Sequence, residues 1–353
     1  MCVVLLSLLF WAGPRVEMTT TLRPLELPQD LDRYLAQTEA ACGGIVPGTE
    51  KRIDWFSGPG VQTPLAVVYV HGFSASRQDT APLAALIAER LQANLFATRL
   101  TGHGGGSRAM LDGSVNAWVN DVHEAVEIGK RLGQRVVLVG SSTGASLATW
   151  QTARGVSSDI AALVLLSPNF GLADRRTVLL TWPWGAQLAE LLAGKTRHLQ
   201  PVNEAFARYW TTSYPVRALL PMMGVVRLAR SLDLRQVSTP TLVIYSPGDR
   251  VLDTRAILAA YHELGAETKR LVPFGEAGDP DQHILAGEVT SPASTATLAR
   301  LVTDFLAAVP HVFEAAAAPD ARSDRGRSGG KKHREGRLEP HIARSGTPGD
   351  DRD

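Results

Sequence analysis

Five residues, Gly140-Ser141-Ser142-Thr143-Gly144, carry the first chemical signal, because they follow the apolar run Arg135-Val136-Val137-Leu138-Val139 and precede Ala145-Ser146-Leu147-Ala148-Thr149-Trp150. A serine is thereby set on a strand-to-helix turn with a glycine two positions away on each side. Side chains at those flanking positions of so tight a turn would collide with neighbouring backbone, which glycine avoids. The turn should lift the hydroxyl clear of the sheet into solvent. There the amino end of the following helix favours the negative charge that develops during nucleophilic attack. The spacing alone arises readily in a chain with 32 glycines, so its weight comes from the strand ahead of it and the helix behind.

A serine at its free pKa is a poor nucleophile and needs a base that takes its proton and an acid that orients the base. Among the histidines, His103 precedes the serine, His123 falls in a helix beside Glu124, and His262 reads as a solvated helical residue beside Glu263. His198 belongs to an irregular segment. His283 stands apart, because it follows the last strand-like run, Lys269-Arg270-Leu271-Val272-Pro273-Phe274, through a Gly/Asp/Pro loop. For the acid, the buried-strand run Thr241-Leu242-Val243-Ile244-Tyr245 opens through Pro247-Gly248 into Asp249. Asp253 reads instead as the cap of a helix beginning at Thr254. Asp279 and Asp281, neighbours of His283 in one loop, read as solvated charges. The expected catalytic set is Ser142, Asp249 and His283, in that chain order.

These residues must be held by an alternating framework. Val115, Trp118, Val119, Val122, Ala125, Val126 and Gly129 recur at helical spacing behind Ser114 and stop at Gly133, which predicts a capped amphipathic helix. Helices of this kind alternating with short Val/Leu-rich strands predict an α/β fold, a mostly parallel central sheet with helices on both faces. Sites in such sheets form at the carboxyl ends of the strands. The rhythm breaks between Asn169 and Gln236, where Trp182, Trp184, Leu188, Trp210, Tyr214, Met222 and Met223 occur with helical spacing and prolines between. A helical cap insertion at about 170–236 is expected over the site, either packed on itself or walling an acyl pocket, with Trp210 and Met223 as candidate wall residues. No basic cluster is evident in it, which disfavours anionic substrates.

From Leu65 to Val309 the chain resembles the α/β-hydrolase superfamily, and within it the bacterial carboxylesterase and monoacylglycerol lipase branch. The matching features are His71-Gly72-Phe73, Gly102-His103-Gly104, Trp118 and Asp121, the Gly-x-Ser-x-Gly turn, Gly248-Asp249-Arg250-Val251, and His283. The chain departs from the branch in carrying Ser141 and Thr143 on either side of the serine. The resemblance implies an oxyanion hole formed by the backbone N–H groups of Phe73 and Thr143. It also implies a backbone-shaping loop at Gly102-His103-Gly104, no cofactor, and a small-molecule acyl ester as substrate. Expected is a serine hydrolase for short- to medium-chain carboxylic esters. Its variants are a monoacylglycerol lipase or a polyester-degrading esterase; the alternative from another class is a non-catalytic protein that holds an apolar ligand under the cap.

Composition sets outer limits. In 353 residues, 44% hydrophobic content supports a large core, and a net charge of +1 gives no reason to expect a nucleic-acid partner. Cys2 and Cys42 are the two cysteines, too few for a disulfide framework, and no metal-ligand spacing of the CxxC or HExxH kind occurs. Residues 1–18 are an apolar leader, a misread start ahead of Met18, or a buried helix. The apolar stretch to Ala12 lacks a basic n-region and is shorter than the roughly 20 residues of a membrane span. The first two readings correspond to an exported or membrane-associated protein and to a cytoplasmic one. Residues 19–310 are expected to form the catalytic domain. Residues 311–353, with Arg325, Arg327, Lys331, Lys332, Arg334 and Arg337, read as a solvated disordered tail.

Overall fold

The computed structural model describes residues 2–155, 159–309 and 312–313. The expected tail therefore lies outside the described residues. Nine strands are described: β1 (Arg52–Asp54), β2 (Thr63–Val70), β3 (Asn94–Ala97), β4 (Gly133–Ser141), β5 (Ile160–Leu166), β6 (Thr196–His198), β7 (Ser213–Pro215), β8 (Thr241–Tyr245) and β9 (Lys269–Pro273). Ten α-helices accompany them: α1 (Cys2–Trp11), α2 (Leu31–Cys42), α3 (Leu83–Leu91), α4 (Val115–Leu132), α5 (Thr143–Ala153), α6 (Gly185–Ala193), α7 (Glu204–Tyr209), α8 (Leu219–Arg230), α9 (Thr254–Glu263) and α10 (Pro292–Ala308).

Seven strands form the central sheet in the order β1-β3-β2-β4-β5-β8-β9, and every neighbouring pair is parallel except β1 with β3. The inner strands are continuous apolar runs because both faces are covered. Along β4 the side chains alternate between two cores. Val136 and Leu138 join α4, α5 and α8 on one face, whereas Val137 and Val139 join α3 and α10 on the other. Helix α4 begins where the periodicity predicts, with the Ser114 side chain accepting the Ala117 amide, and it buries Trp118, Val119, Val122 and Val126. The strand order reverses at β2, which lies between β3 and β4, so the loops leaving β2 and β4 diverge to opposite sides of the sheet. A crevice at the carboxyl ends is the geometric result.

Between β5 and β8 the chain forms α6, α7, α8 and a small antiparallel ladder of β6 with β7, joined by 3-10 turns. Part of this insertion belongs to the main core rather than to a core of its own: Met222, Met223, Val225, Val226 and Ala229 of α8 pack in the same cluster as α4 and α5. The N-terminal stretch is helical, but it is not a buried helix. Val4, Leu8, Leu9 and Trp11 are exposed. It meets the insertion through the Trp184 indole N–H, which donates to the Leu9 carbonyl (3.2 Å), and an edge contact of Phe10 with Trp182. Among the described residues no helix is long and apolar enough to cross a membrane.

Candidate active site

Strand β4 ends at Ser141 and α5 starts at Thr143, leaving Ser142 alone on the bend with φ 51° and ψ −118°. A non-glycine residue in that region stores about 1–3 kcal/mol of backbone strain. The glycines on either side are required by close approach. A Cβ at Gly140 would lie 2.6 Å from the Ala145 Cα, and one at Gly144 would lie 2.2 Å from the Val70 carbonyl oxygen. One expectation needs correction: Ser142 does not face open solvent, being only 8% exposed.

Ser142 Oγ lies 3.0 Å from His283 Nε2, and His283 Nδ1 lies 2.9 Å from Asp249 Oδ2. A carboxylate only accepts, so Nδ1–H donates to Asp249 and Nε2 presents its lone pair to the serine hydroxyl. The second Asp249 oxygen accepts the amides of Val251 (2.8 Å) and Leu252 (2.9 Å). Burial by itself would lower the His283 pKa. The hydrogen bond and charge of Asp249, together with the charges of Asp279 and Asp79, outweigh it and raise the value above the ordinary 6.5.

Asp253 caps α9 by accepting the Arg255 amide, in the manner expected, and Asp281 is exposed. Asp279 departs from its expected role as a solvated charge. It is buried, and its Oδ2 accepts the amides of both His283 and Ile284 at 2.9 Å. The loop folds back over its own carboxylate, a closure invisible to a reading that scores each charge as solvated. From the other side, Ser167 Oγ donates to the His283 carbonyl at 2.8 Å, so His283 is fixed at both ends of its backbone unit.

The turn after β2 stands beside the serine: a Cβ at Gly72 would lie 3.2 Å from the Ser142 Cβ. Among the described residues the amides of Phe73 and Thr143 donate no hydrogen bond. The flanking amides, by contrast, are taken. Gly72 N donates to Asp79 Oδ2 and Ser74 N to His103 Nε2, each at 3.0 Å. Asp79 also accepts the Tyr69 hydroxyl, and burial pushes its carboxyl up to about 6. His103 is lowered to about 4 by burial, and His71 is lowered well below its ordinary value by burial and then by the charge of His103. Both rings are therefore neutral acceptors near pH 7, His71 holding the Leu100 amide at 3.0 Å. Asp79, Asp279 and the acceptor role of His71 escape sequence reasoning. No motif or local pattern marks either aspartate, and the family resemblance marks His71 within His71-Gly72-Phe73 without indicating that its ring accepts the Leu100 amide.

The insertion closes over this turn. Thr211 N donates to the Ser74 carbonyl at 2.7 Å, and the Tyr214 ring meets the Phe73 ring edge-on at 5.4 Å. Asn169 Nδ2 reaches both Thr143 Oγ1 (3.4 Å) and Met222 Sδ (3.6 Å). Trp210 and Met223, the residues expected at the pocket wall, are not brought together. Trp210 stacks on Phe206 and lines one surface cavity with Tyr209 and Thr49, while Met223 lines another with Arg175 and Arg227. Neither cavity includes Ser142 or His283. Met222, the residue beside Met223 on α8, is the one that touches Asn169 in the loop after β5.

Solved structures share this fold. A solved structure reported for LipS and LipT, two metagenome-derived lipolytic enzymes, superposes with a TM-score of 0.62 at 20% identity, covering 74% of this chain and 99% of its own. The monoacylglycerol lipase of Paleococcus ferrophilus gives 0.53 at 16%, covering 72% and 97%. A soluble variant of monoglyceride lipase from Saccharomyces cerevisiae gives 0.53 at 13%, covering 72% and 91%. At these identities the likeness is one of fold. No curated protein matches the sequence. Residues 67–288 match the profile of the alpha/beta hydrolase family, a span that runs from β2 through the turn carrying Ser142 to the loop carrying His283. The chain belongs to the alpha/beta hydrolase family.

Proposed function

We propose that this protein is a serine esterase that cleaves short- to medium-chain carboxylic esters through an acyl-enzyme on Ser142. The observation that carries the reading is the unbroken line from Asp249 through His283 to Ser142, at 2.9 and 3.0 Å, beside two amides with no other partner. Attack by Oγ on the ester carbonyl transfers the serine proton to His283 Nε2, and Asp249 stabilises the imidazolium. The carbonyl oxygen, now negative, takes hydrogen bonds from the Phe73 and Thr143 amides, which are already oriented and need no reorganisation. Collapse expels the alcohol, protonated by Nε2–H. Water activated by the same imidazole then attacks the acyl carbon and frees Ser142. Lipid monoesters and polymeric esters are variants of the same chemistry, and the comparison proteins described as lipolytic or as monoacylglycerol lipases support ester substrates in general.

A fluorophosphonate probe tests the reading directly, since only an activated serine reacts with it. Labelling is expected at Ser142 and should vanish in His283→Ala. A folded protein that resists the probe would be a ligand-binding protein instead.

The raised pKa of His283 sets the pH dependence. The imidazole must be neutral to accept a proton, and its neutral fraction grows as pH rises through its pKa. The acid limb of kcat/KM should therefore have its midpoint above the ordinary 6.5. A midpoint below that value would show that the carboxylates do not govern the base.

In the same reading the insertion acts as a cap whose inner wall is Tyr214 and Met222, because these touch Phe73 and Asn169 at the site. Tyr214→Ala and Met222→Ala should shift the preferred acyl length of p-nitrophenyl esters, since each methylene in an apolar pocket is worth roughly 1–3 kcal/mol of discrimination. Trp210→Ala and Met223→Ala should leave the profile alone. The ratio of kcat/KM between two chain lengths is the right readout, because loss of folded protein cancels in it.

A further inference from the structure

Three arginines of the insertion converge on one cavity away from Ser142. The cavity, of about 570 Å³, lies between the 3-10 turn Arg175–Thr181, α8 and the start of α9. That volume is within the roughly 300–1,000 Å³ of small-molecule sites. Arg175, Arg227 and Arg230 line it. The sequence reading found no basic cluster in the insertion, and the structure corrects this. Arg227 and Arg230 share a face of α8 through their three-residue spacing, and the chain returns Arg175 opposite them from about fifty residues away.

Among the described residues none of the three has a side-chain hydrogen bond or a close ion pair, and only Arg175 lies near enough to a carboxylate, Asp253, for its charge to act on it, whereas their neighbours are paired. Arg176 pairs with Asp174 at 2.7 Å, Arg235 with Asp233 at 2.7 Å, and Arg255 with Asp253 at 3.0 Å. Asp253, the carboxylate on the cavity wall, is thus already engaged by Arg255 and by its role as cap of α9. Arg227 and Arg230 have no carboxylate of their own, and Arg175 shares Asp253 with Arg255, so the rim of the concavity carries excess positive charge that an anion would neutralise. The remainder of the lining includes buried Val226, half-buried Leu172 and exposed Val178, an apolar stretch of wall. Planar guanidinium groups match carboxylate and phosphate oxygens in bidentate fashion.

We propose that this cavity binds a small amphiphilic anion, a carboxylate or phosphate head on a short alkyl body, at a site separate from Ser142. The proposal does not rest on the esterase reading. Calorimetric titration of the full chain with octanoate, octyl phosphate and the neutral control octanol tests it. At least one anion should bind one to one, and the double substitution Arg227→Ala/Arg230→Ala should weaken it by at least about tenfold. Preference for octanoate or octyl phosphate identifies the head group. Both arginines are exposed, so the variant should keep the wild-type unfolding temperature, and the double variant Arg52→Ala/Arg235→Ala, which removes two exposed arginines that are paired elsewhere, serves as a charge-matched control that should bind normally. The proposal is overturned if neither anion binds, if octanol binds as tightly as the anions, or if the double variant binds them with wild-type affinity. That last outcome would place the ligand elsewhere, the Ser142 site included.

Discussion

Replacing Ser142 with alanine is expected to lower turnover of an activated ester by about 10⁴-fold or more, because removing the attacking oxygen leaves only binding and the oxyanion donors. The backbone strain at φ 51° is the same for serine and alanine, so the turn itself should persist. The hydroxyl is buried and its one partner is His283 Nε2, so the loss of a single hydrogen bond should change stability by about 1 kcal/mol. Stopped-flow or plate kinetics with p-nitrophenyl esters, alongside a urea unfolding curve, separate the two effects. If the variant kept more than about a hundredth of wild-type activity, the nucleophile would lie elsewhere. Ser141, buried at the end of β4, would be the first residue to examine.

Asp249→Asn should be nearly as damaging, by about 10⁴ in turnover, and the structure explains why the amide cannot simply turn to suit the histidine. One oxygen of Asp249 holds the Val251 and Leu252 amides at 2.8 and 2.9 Å. An asparagine keeps those two bonds only by placing its carbonyl there, which aims its NH₂ at His283 Nδ1. Nδ1 must then act as acceptor, the proton moves to Nε2, and the ring can no longer take the serine proton. Asp279→Asn makes the instructive comparison. Both amides it accepts converge on one oxygen, so the carbonyl of asparagine can serve both while its NH₂ occupies the other side. Asp279→Asn, Asp253→Asn and Asp281→Asn should each cost far less than Asp249→Asn. A crippling effect of Asp279→Asn or Asp281→Asn with a mild effect at Asp249 would reassign the acid.

The framework was legible because its information is local. The runs 65–70, 136–139 and 242–245 are apolar without alternation, and each is buried on both faces. Ser142, Asp249 and His283 could be picked out because each follows one of three parallel strands, β4, β8 and β9, and parallel strands deliver their following loops to one edge of the sheet. Less was legible wherever a polar side chain meets a partner far along the chain. His103 under Ser74 and His71 under Leu100, each 29 residues apart, are contacts made only once β2 and β3 lie side by side.

The sequence by itself therefore determined the order of the elements, the sheet and the three residues that line up at its edge, since burial and turn geometry are written in short windows of residue type. Tertiary structure alone decided which carboxylate near His283 is buried, which of two adjacent methionines faces the site, and that three distant arginines surround one cavity. Those outcomes depend on the rotation of α8 about its axis and on how the insertion settles against the strand ends. Helical periodicity marks an apolar stripe, but it leaves open which edge of that stripe meets the site, and a rotation of about 100° per residue separates Met222 from Met223.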